Sequence, residues 1–537
     1  MVGDFPMHGL LRRSMIRLHG DAAALRRHDL TPFREPRAAL IDVPPSYLSS
    51  PSWQNVATML GALTIIRFFA AARTGLAPDE TYYWLWAQTP AFGYADHPPM
   101  VAWWIWLSTH VLGDTALGIR MPAILSALVT SLAVFGTARQ LFLADSIGLR
   151  AVLWFNAMIL IGVGAIFGTP DAPSTMFWAL SLWALAAIWR TRRPSLWLLV
   201  GLFTGLGCLS KYTSLFLGLG IVAWLLADPV ARRWLLSPWL WAGGLIAVVM
   251  FLPVFVWNAE HDWISFHRQF GRLAMHGITL RYLGEFVLCQ FGLLNPIIAF
   301  FGLLAGAAVL RERAEARRGP YLILLATMAP LLVYMIIHAV HDRVQGNWLA
   351  PIYPQVAILA AAYADRQGMH RFRLWFAQAV APLGIGLSTM ILISLACPFG
   401  PPFSIPNPGD RLEGWQNFAT AIEQLREKSG ASWIATANYD VNAELAFWER
   451  GYAPVREIAE RERYSFSSLD TFVNQPAILV LSERQKTSGR FDHCFFSVSQ
   501  PISTLSRRGA AGPIERYVVQ RVRRATSDIN RGCRAAF

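Results

Sequence analysis

The chain has 537 residues, of which 54% are hydrophobic and 15% charged, against roughly 25% charged in an ordinary soluble chain. That arithmetic, with a positive mean hydropathy of +0.36, excludes a soluble globular enzyme. A net charge of +13, from 47 Lys and Arg against 34 Asp and Glu, belongs in such a chain to cytoplasmic loops, so no nucleic-acid partner is expected.

Residues 1–52 mix charges of both signs and hold no apolar run of signal-peptide length. They read as a cytoplasmic, poorly ordered extension. From Val56 the character changes, and apolar stretches follow with cores near 55–73, 119–138, 150–168, 174–190, 195–210, 212–227, 238–258, 283–308, 320–339, 348–365 and 374–396. Each is long enough, or nearly so, for the ~30 Å hydrocarbon core. The predicted fold class is a polytopic α-helical membrane protein with about eleven transmembrane helices over 53–397, followed by a small extramembrane α/β domain over 398–537.

Placing the N-terminus inside puts Arg139, Arg190, Arg192, Arg193, Arg232, Arg233, Arg311, Arg313, Arg317, Arg318, Arg366, Arg371 and Arg373 on the cytoplasmic side. The outer loops then keep Arg120, Lys211, Arg268, Arg272, Arg281 and Arg343. The same parity puts the loop 74–118 and everything after Cys397 outside. Beyond the Pro-rich exit at 398–408, helices are expected over 415–428 and 443–449 and strands over 433–437 and 477–481. The stretch 516–534 reads as a basic, solvated tail. Five scattered cysteines without a CxxC pair indicate neither a zinc cluster nor a disulfide framework.

Ionisable groups at membrane depth are costly and tend to face cavities, so chemistry is sought where polar residues interrupt apolar sequence. In A77-P-D-E-T-Y-Y-W-L-W86, Asp79 and Glu80 follow the first span; they suit catalysis or the cap of the next helix. In Y94-A-D-H-P-P-M100, Asp96 beside His97 suits a divalent ion or a shared proton, given further ligands from elsewhere. Asp171 in G168-T-P-D-A-P-S-T175 suits a helix cap or a catalytic acid. Lys211 in L209-S-K-Y-T-S214 is one of three lysines and suits a phosphate or a snorkelling role at a helix end. The segments 257–272 and 341–348 add His, Asp and Arg to the same outer side. Trp84, Trp86, Trp103, Trp104 and Trp106 suit a headgroup-level aromatic belt or a prenyl groove.

Taken in order, APDETYYWLW, YADHPPM, TPDAP, SKYT, WNAEHDW and VQGNWLAPIYP resemble the polytopic membrane glycosyltransferases of the family 39 type, the group that includes protein O-mannosyltransferases and lipid A aminoarabinose transferases. The resemblance covers roughly 53–365. It implies a GT-C architecture and transfer of a sugar from a polyprenyl-phosphate donor at the outer face of a bacterial inner membrane. The acceptor it implies is an envelope lipid or glycan, since the large central insertion of the protein mannosyltransferases is missing. It also implies an inverting displacement with Asp79 as base, Glu80 beside it and Asp171 in the second outer loop. Tyr82, Tyr83, His97, Lys211, Tyr212, Arg268 and Arg272 carry over as substrate contacts. The reading requires no cofactor, and Asp96 with the distant His267 marks a possible divalent metal ion. The competing readings are a flippase of a lipid-linked sugar, an inert lipid-binding relative and a protein O-mannosyltransferase.

Overall fold

The computed structural model describes residues 51–271, 277–311, 315–365, 371–397, 408–487, 496–510 and 512–525. The N-terminal extension, the prolines at 398 to 406 and Arg272 lie outside the described residues.

The membrane part opens with α1 (Trp53–Arg73), α2 (Pro78–Gln88), α3 (Met100–Leu112) and α4 (Ala116–Phe142). Ser52 starts α1 by accepting the Asn55 amide at 3.1 Å, and Thr115 starts α4 by accepting that of Gly118 at 3.0 Å. Then follow α5 (Asp145–Ala157), α6 (Ile159–Gly162), α7 (Asp171–Thr191), α8 (Leu196–Ser210), α9 (Leu215–Ala227) and α10 (Pro238–Glu260). The set closes with α11 (Ile264–Phe270), α12 (Leu280–Leu294), α13 (Pro296–Arg311), α14 (Glu315–His338), α15 (Tyr353–Ala364) and α16 (Arg371–Ala396).

Among the described residues six helices are long and apolar enough to cross a membrane, or up to eight if each of two bent pairs is one span. Three more apolar helices are shorter: two fall on the expected stretches 195–210 and 212–227, the third, α3, lies in the loop 74–118 and is not one of the eleven, and the expected stretch 348–365 is helical through a 3₁₀ turn (Gly346–Ile352) and α15. Two expected spans are broken for visible reasons. The first bends by 76° after α5, at Met158. Arg67 from α1 fills that break, donating to the carbonyls of Ile161 at 3.0 Å and Gly162 at 3.3 Å and to Asn156 Oδ1 at 3.2 Å. A buried guanidinium thereby satisfies carbonyls that an unbroken helix would bond itself. The second bends by 105° between α12 and α13, where Asn295 adopts φ +71° and Pro296 follows.

Small residues set the tightest packing. A Cβ on Gly201 of α8 would lie 2.0 Å from the Gly243 carbonyl oxygen of α10, so both helices need glycine there. The outer face of α10 exposes Leu245, Val248, Val249 and Leu252, which suits lipid rather than water. The protein is a membrane protein.

The C-terminal module comprises α17 (Trp415–Ser429), β1 (Trp433–Thr436), α18 (Tyr439–Trp448), β2 (Val455–Glu457), β3 (Ala477–Ser482), α19 (Glu483–Thr487), β4 (Phe496–Gly509) and β5 (Gly512–Ala525). Its sheet runs β2-β1-β3-β5-β4, parallel through β2, β1 and β3 and antiparallel thereafter. The four elements expected from sequence are present within a few residues. The expected solvated tail is corrected: over its first ten residues, 516–525, it forms most of β5, with Tyr517, Val519 and Val522 buried between β3 and β4. Tyr517 and Val519 join the core on one face of the sheet and Val522 the core on the other, so both faces of the strand are covered, and pairing with two neighbours outweighs the basic composition.

Candidate active site

The start of the loop between α1 and α4 is held by a buried ion pair. Pro78 at the first position starts α2, with Glu80 reaching back to accept the Ala77 amide at 2.9 Å. The same carboxylate takes Arg120 of α4 in a two-toothed pair, at 2.8 Å to Nε and 2.5 Å to Nη2, and the Gly168 amide at 2.9 Å. Arg120 spends its remaining donors on the carbonyls of Ala71, Thr74 and Gly75. Both partners are fully buried. Glu80, expected beside Asp79 in the chemistry, is thus occupied by Arg120 and two backbone amides and ties α1, α2, α4 and the Gly168 loop together.

Asp79 points the other way. It is open to space inside the protein, where it lines two cavities, of about 290 and about 930 Å³. Asp171 and Asn347 also line the smaller one, among Ala123, Ala127, Leu160 and Phe167. The larger runs along Met390, Ile393 and Leu395 of α16 to Arg411. Although open to the cavities, Asp79 is closely surrounded by protein, and this desolvation raises its pKa to about 6. The negative charge of Asp440 pushes in the same direction, while a hydrogen bond from Tyr439 and the charge of Arg463 oppose it. The Tyr439 hydroxyl lies 3.4 Å from Asp79 Oδ1.

Tyr439, Asp440 and Arg463 all come from the C-terminal module. Its α18 packs on α2, with Phe447 edge-on to Trp84 at 5.0 Å and Tyr464 in the same buried cluster as Tyr82. Arg463 stacks over the Tyr439 ring at 4.0 Å and reaches Asp96 Oδ2 at 3.4 Å. Arg268 holds the other Asp96 oxygen at 2.7 Å, and the Tyr82 hydroxyl lies 3.0 Å from Oδ2. These three contacts occupy Asp96. His267 is exposed and is not among these partners of Asp96. Among the described residues no group of three or more His, Cys, Asp or Glu could hold a metal ion. The residues present do not fit one at Asp96.

Asp171 begins α7, with Lys211 Nζ at 2.6 Å from Oδ1 and Asn347 Nδ2 at 2.7 Å from Oδ2. Lys211, expected on a phosphate, is largely buried and engaged with Asp171. Tyr83 is buried against Trp86, with the His97 ring 6.1 Å away. Tyr212 packs elsewhere, hydrogen-bonded to Ser265 and set among Phe251 and Phe266. The structure thus brings Asp79 and Asp171 together around one cavity and gathers Tyr82, Asp96 and Arg268 at the module interface. Trp84 and Trp86, expected in an interfacial belt, are core residues under that module, whereas Trp106 is exposed.

Sequence reasoning missed Arg120, Tyr439, Asp440 and Arg463. For Arg120 the signal was there: an arginine five residues into a long apolar helix needs a buried partner. For the other three no local signal exists, because their roles come from the docking of α18.

Residues 96–257 match the family model described as dolichyl-phosphate-mannose-protein mannosyltransferase. The chain is 28% identical over 386 residues to the lipid A galacturonosyltransferase RgtD of Rhizobium johnstonii, covering 69% of this chain and 76% of that protein. It is 23% identical over 364 residues to undecaprenyl phosphate-alpha-4-amino-4-deoxy-L-arabinose arabinosyl transferase 2 of Pseudomonas fluorescens, covering 62% of this chain and 64%, a little under two thirds, of that relative. The crystal structure of ArnT from Cupriavidus metallidurans bound to undecaprenyl phosphate superposes with a TM-score of 0.63 at 15% identity, over 88% of this chain and 98% of that one. The chain is therefore similar in sequence to the polytopic membrane glycosyltransferases of the family 39 type and has their GT-C fold.

Proposed function

We propose that the protein, a membrane glycosyltransferase, moves a sugar from a polyprenyl-phosphate donor to an envelope lipid of the lipid A class, at the outer face of a bacterial inner membrane. The observation that carries this reading is Asp79, a carboxylate with raised proton affinity at the junction of two largely apolar cavities. Two cavities suit two lipid substrates that meet at one reacting group. A hydroxyl of the acceptor attacks the anomeric carbon while the bond from that carbon to the phosphate oxygen breaks. Asp79 takes the hydroxyl proton, the electron pair of the broken bond leaves on the polyprenyl phosphate, and the configuration inverts. Asp171 lines the smaller cavity with Lys211 and Asn347 locked to it, and this arrangement suits contacts to donor sugar hydroxyls.

Eleven membrane crossings and an outward-facing C-terminal module are part of the same proposal, supported by the distribution of Arg and Lys. Labelling of single cysteines placed in the C-terminal module of intact cells reads that orientation. The activity is tested by transfer from a panel of radiolabelled polyprenyl-phosphate sugars to envelope lipid extract in nanodiscs, with Asp79→Asn for comparison. Transfer by wild type and its loss in a folded Asp79→Asn protein is the expected result. Movement of labelled donor across a bilayer without sugar transfer would sink the transferase reading in favour of a flippase.

A further inference from the structure

A second cavity system lies in the C-terminal module and is not used by the transfer step. It has a volume of about 500 Å³ and is lined by Arg411, Arg484, Arg507 and Arg516 together with Glu483, Glu515, Pro513 and Ile514. The topology explains the convergence. Ser482 at the end of β3 pairs with Tyr517, so Glu483 and Arg484 emerge beside Arg516, and Arg507 of β4 pairs with Glu515 of β5. Arg507 forms a rigid floor: it donates to the Glu413 carbonyl at 2.7 Å and stacks over Trp415 at 4.4 Å. Glu515 is in turn engaged by the Tyr517 hydroxyl at 2.6 Å. Arg411, Arg484 and Arg516 are exposed around the mouth.

Arg411 also lines the cavity that runs along α16 to Asp79. Its chain segment is pressed against the loop after α1, since a Cβ on Gly75 would lie 1.9 Å from the Leu412 carbonyl oxygen. One side chain therefore borders both an apolar cavity that reaches the reacting carboxylate and a cavity where four guanidiniums face two carboxylates. An amphiphile fits this sequence of surfaces: acyl chains on Met390, Ile393 and Leu395, the reacting group at Asp79, and an anion beyond Arg411. Guanidinium forks match phosphate and carboxylate geometry.

We propose that this arginine-lined cavity of the C-terminal module is an anion subsite that binds phosphate or carboxylate groups on the saccharide headgroup of the acceptor lipid. The proposal rests on the transferase reading for its acceptor, and direct binding separates the two. The probes are lipid A and lipid A stripped of its phosphates, offered to full-length protein in nanodiscs. The variants are Arg484→Ala with Arg516→Ala, both exposed and neither lining the cavities at Asp79, and the charge-keeping Arg484→Lys with Arg516→Lys. Wild type binds lipid A about tenfold more tightly than the alanine variant, as expected for two lost charge-assisted contacts at a solvent-open site. The lysine variant falls between the two, since it keeps the charge and loses the fork, and the stripped lipid binds all three alike. Equal lipid A affinity of wild type and a folded alanine variant would overturn the subsite. Competition by inorganic phosphate below about 1 mM would overturn it too, marking a site for the free anion. A wild type that shows the binding difference and never transfers sugar leaves the subsite standing and removes the transferase reading alone.

Discussion

Glu80→Gln distinguishes a structural carboxylate from a catalytic one at adjacent positions. In the native protein Glu80 accepts four hydrogen bonds, from Arg120 Nε and Nη2 and from the amides of Ala77 and Gly168. Glutamine keeps one carbonyl oxygen and presents an NH₂ group where a donor already stands, so Arg120 stays charged and fully buried without its counter-ion. Breaking a buried pair from one side costs about 3–5 kcal/mol. In a detergent melting assay that loss lowers Tm by about 5 °C or more. Arg120→Met combined with Glu80→Leu removes both charges and recovers part of the stability, because the desolvation of each ion disappears with its partner while the carbonyls of Ala71, Thr74 and Gly75 and the amides of Ala77 and Gly168 lose theirs. Transfer by Glu80→Gln, measured well below its melting temperature, persists at a reduced rate. A Glu80→Gln protein that melts like wild type and has lost transfer entirely would refute this reasoning and put Glu80 in the chemistry.

The pH profile of transfer follows Asp79. A base works ionised, so with its pKa at about 6 the rate falls as pH drops through that value, about tenfold per unit well below it. Asp440→Asn removes the neighbouring charge that pushes Asp79 up, and the midpoint of the kcat profile moves to lower pH; an unmoved midpoint refutes the coupling. Arg150→Met strands Asp365, buried between α5 and the end of α15, and destabilises the protein by about 3–5 kcal/mol by the same one-sided logic, read by thermal melting. Ending the chain at residue 510 removes β5 from between β3 and β4, so limited proteolysis degrades the C-terminal module of that truncation, whereas a dispensable tail would leave it intact.

Much of the membrane part was legible because its signals are local. Runs of apolar residues long enough for a bilayer become helices wherever they occur, and the apolar stretches from Val56 to Ala396 all did so. Asp79 and Asp171 were legible for a related reason: each opens a helix directly after a run that ends in Pro or Gly-Thr-Pro, and charge is scarce in such sequence. The inequality of the helices was not legible. Composition cannot say that Arg67 will reach across to a broken turn near Gly162, 95 residues away.

What the sequence by itself determined about this protein is its class, its helical stretches, the motifs of the loops between them and the presence of an α/β module after residue 408. The tertiary structure decided which of two adjacent carboxylates is paired and which lines a cavity, and it did so by supplying Arg120 to Glu80 and open space to Asp79. It also decided that Asp96 takes two arginines rather than a metal ion, since Arg268 and Arg463 approach it from elements far apart in the chain. The docking of α18 on α2 brought Tyr439 and Asp440 to Asp79. The physical reason is the range of the forces: helix formation and membrane burial are settled within about 20 residues, whereas pairing and desolvation of a charge depend on whatever the fold places within a few ångströms of it.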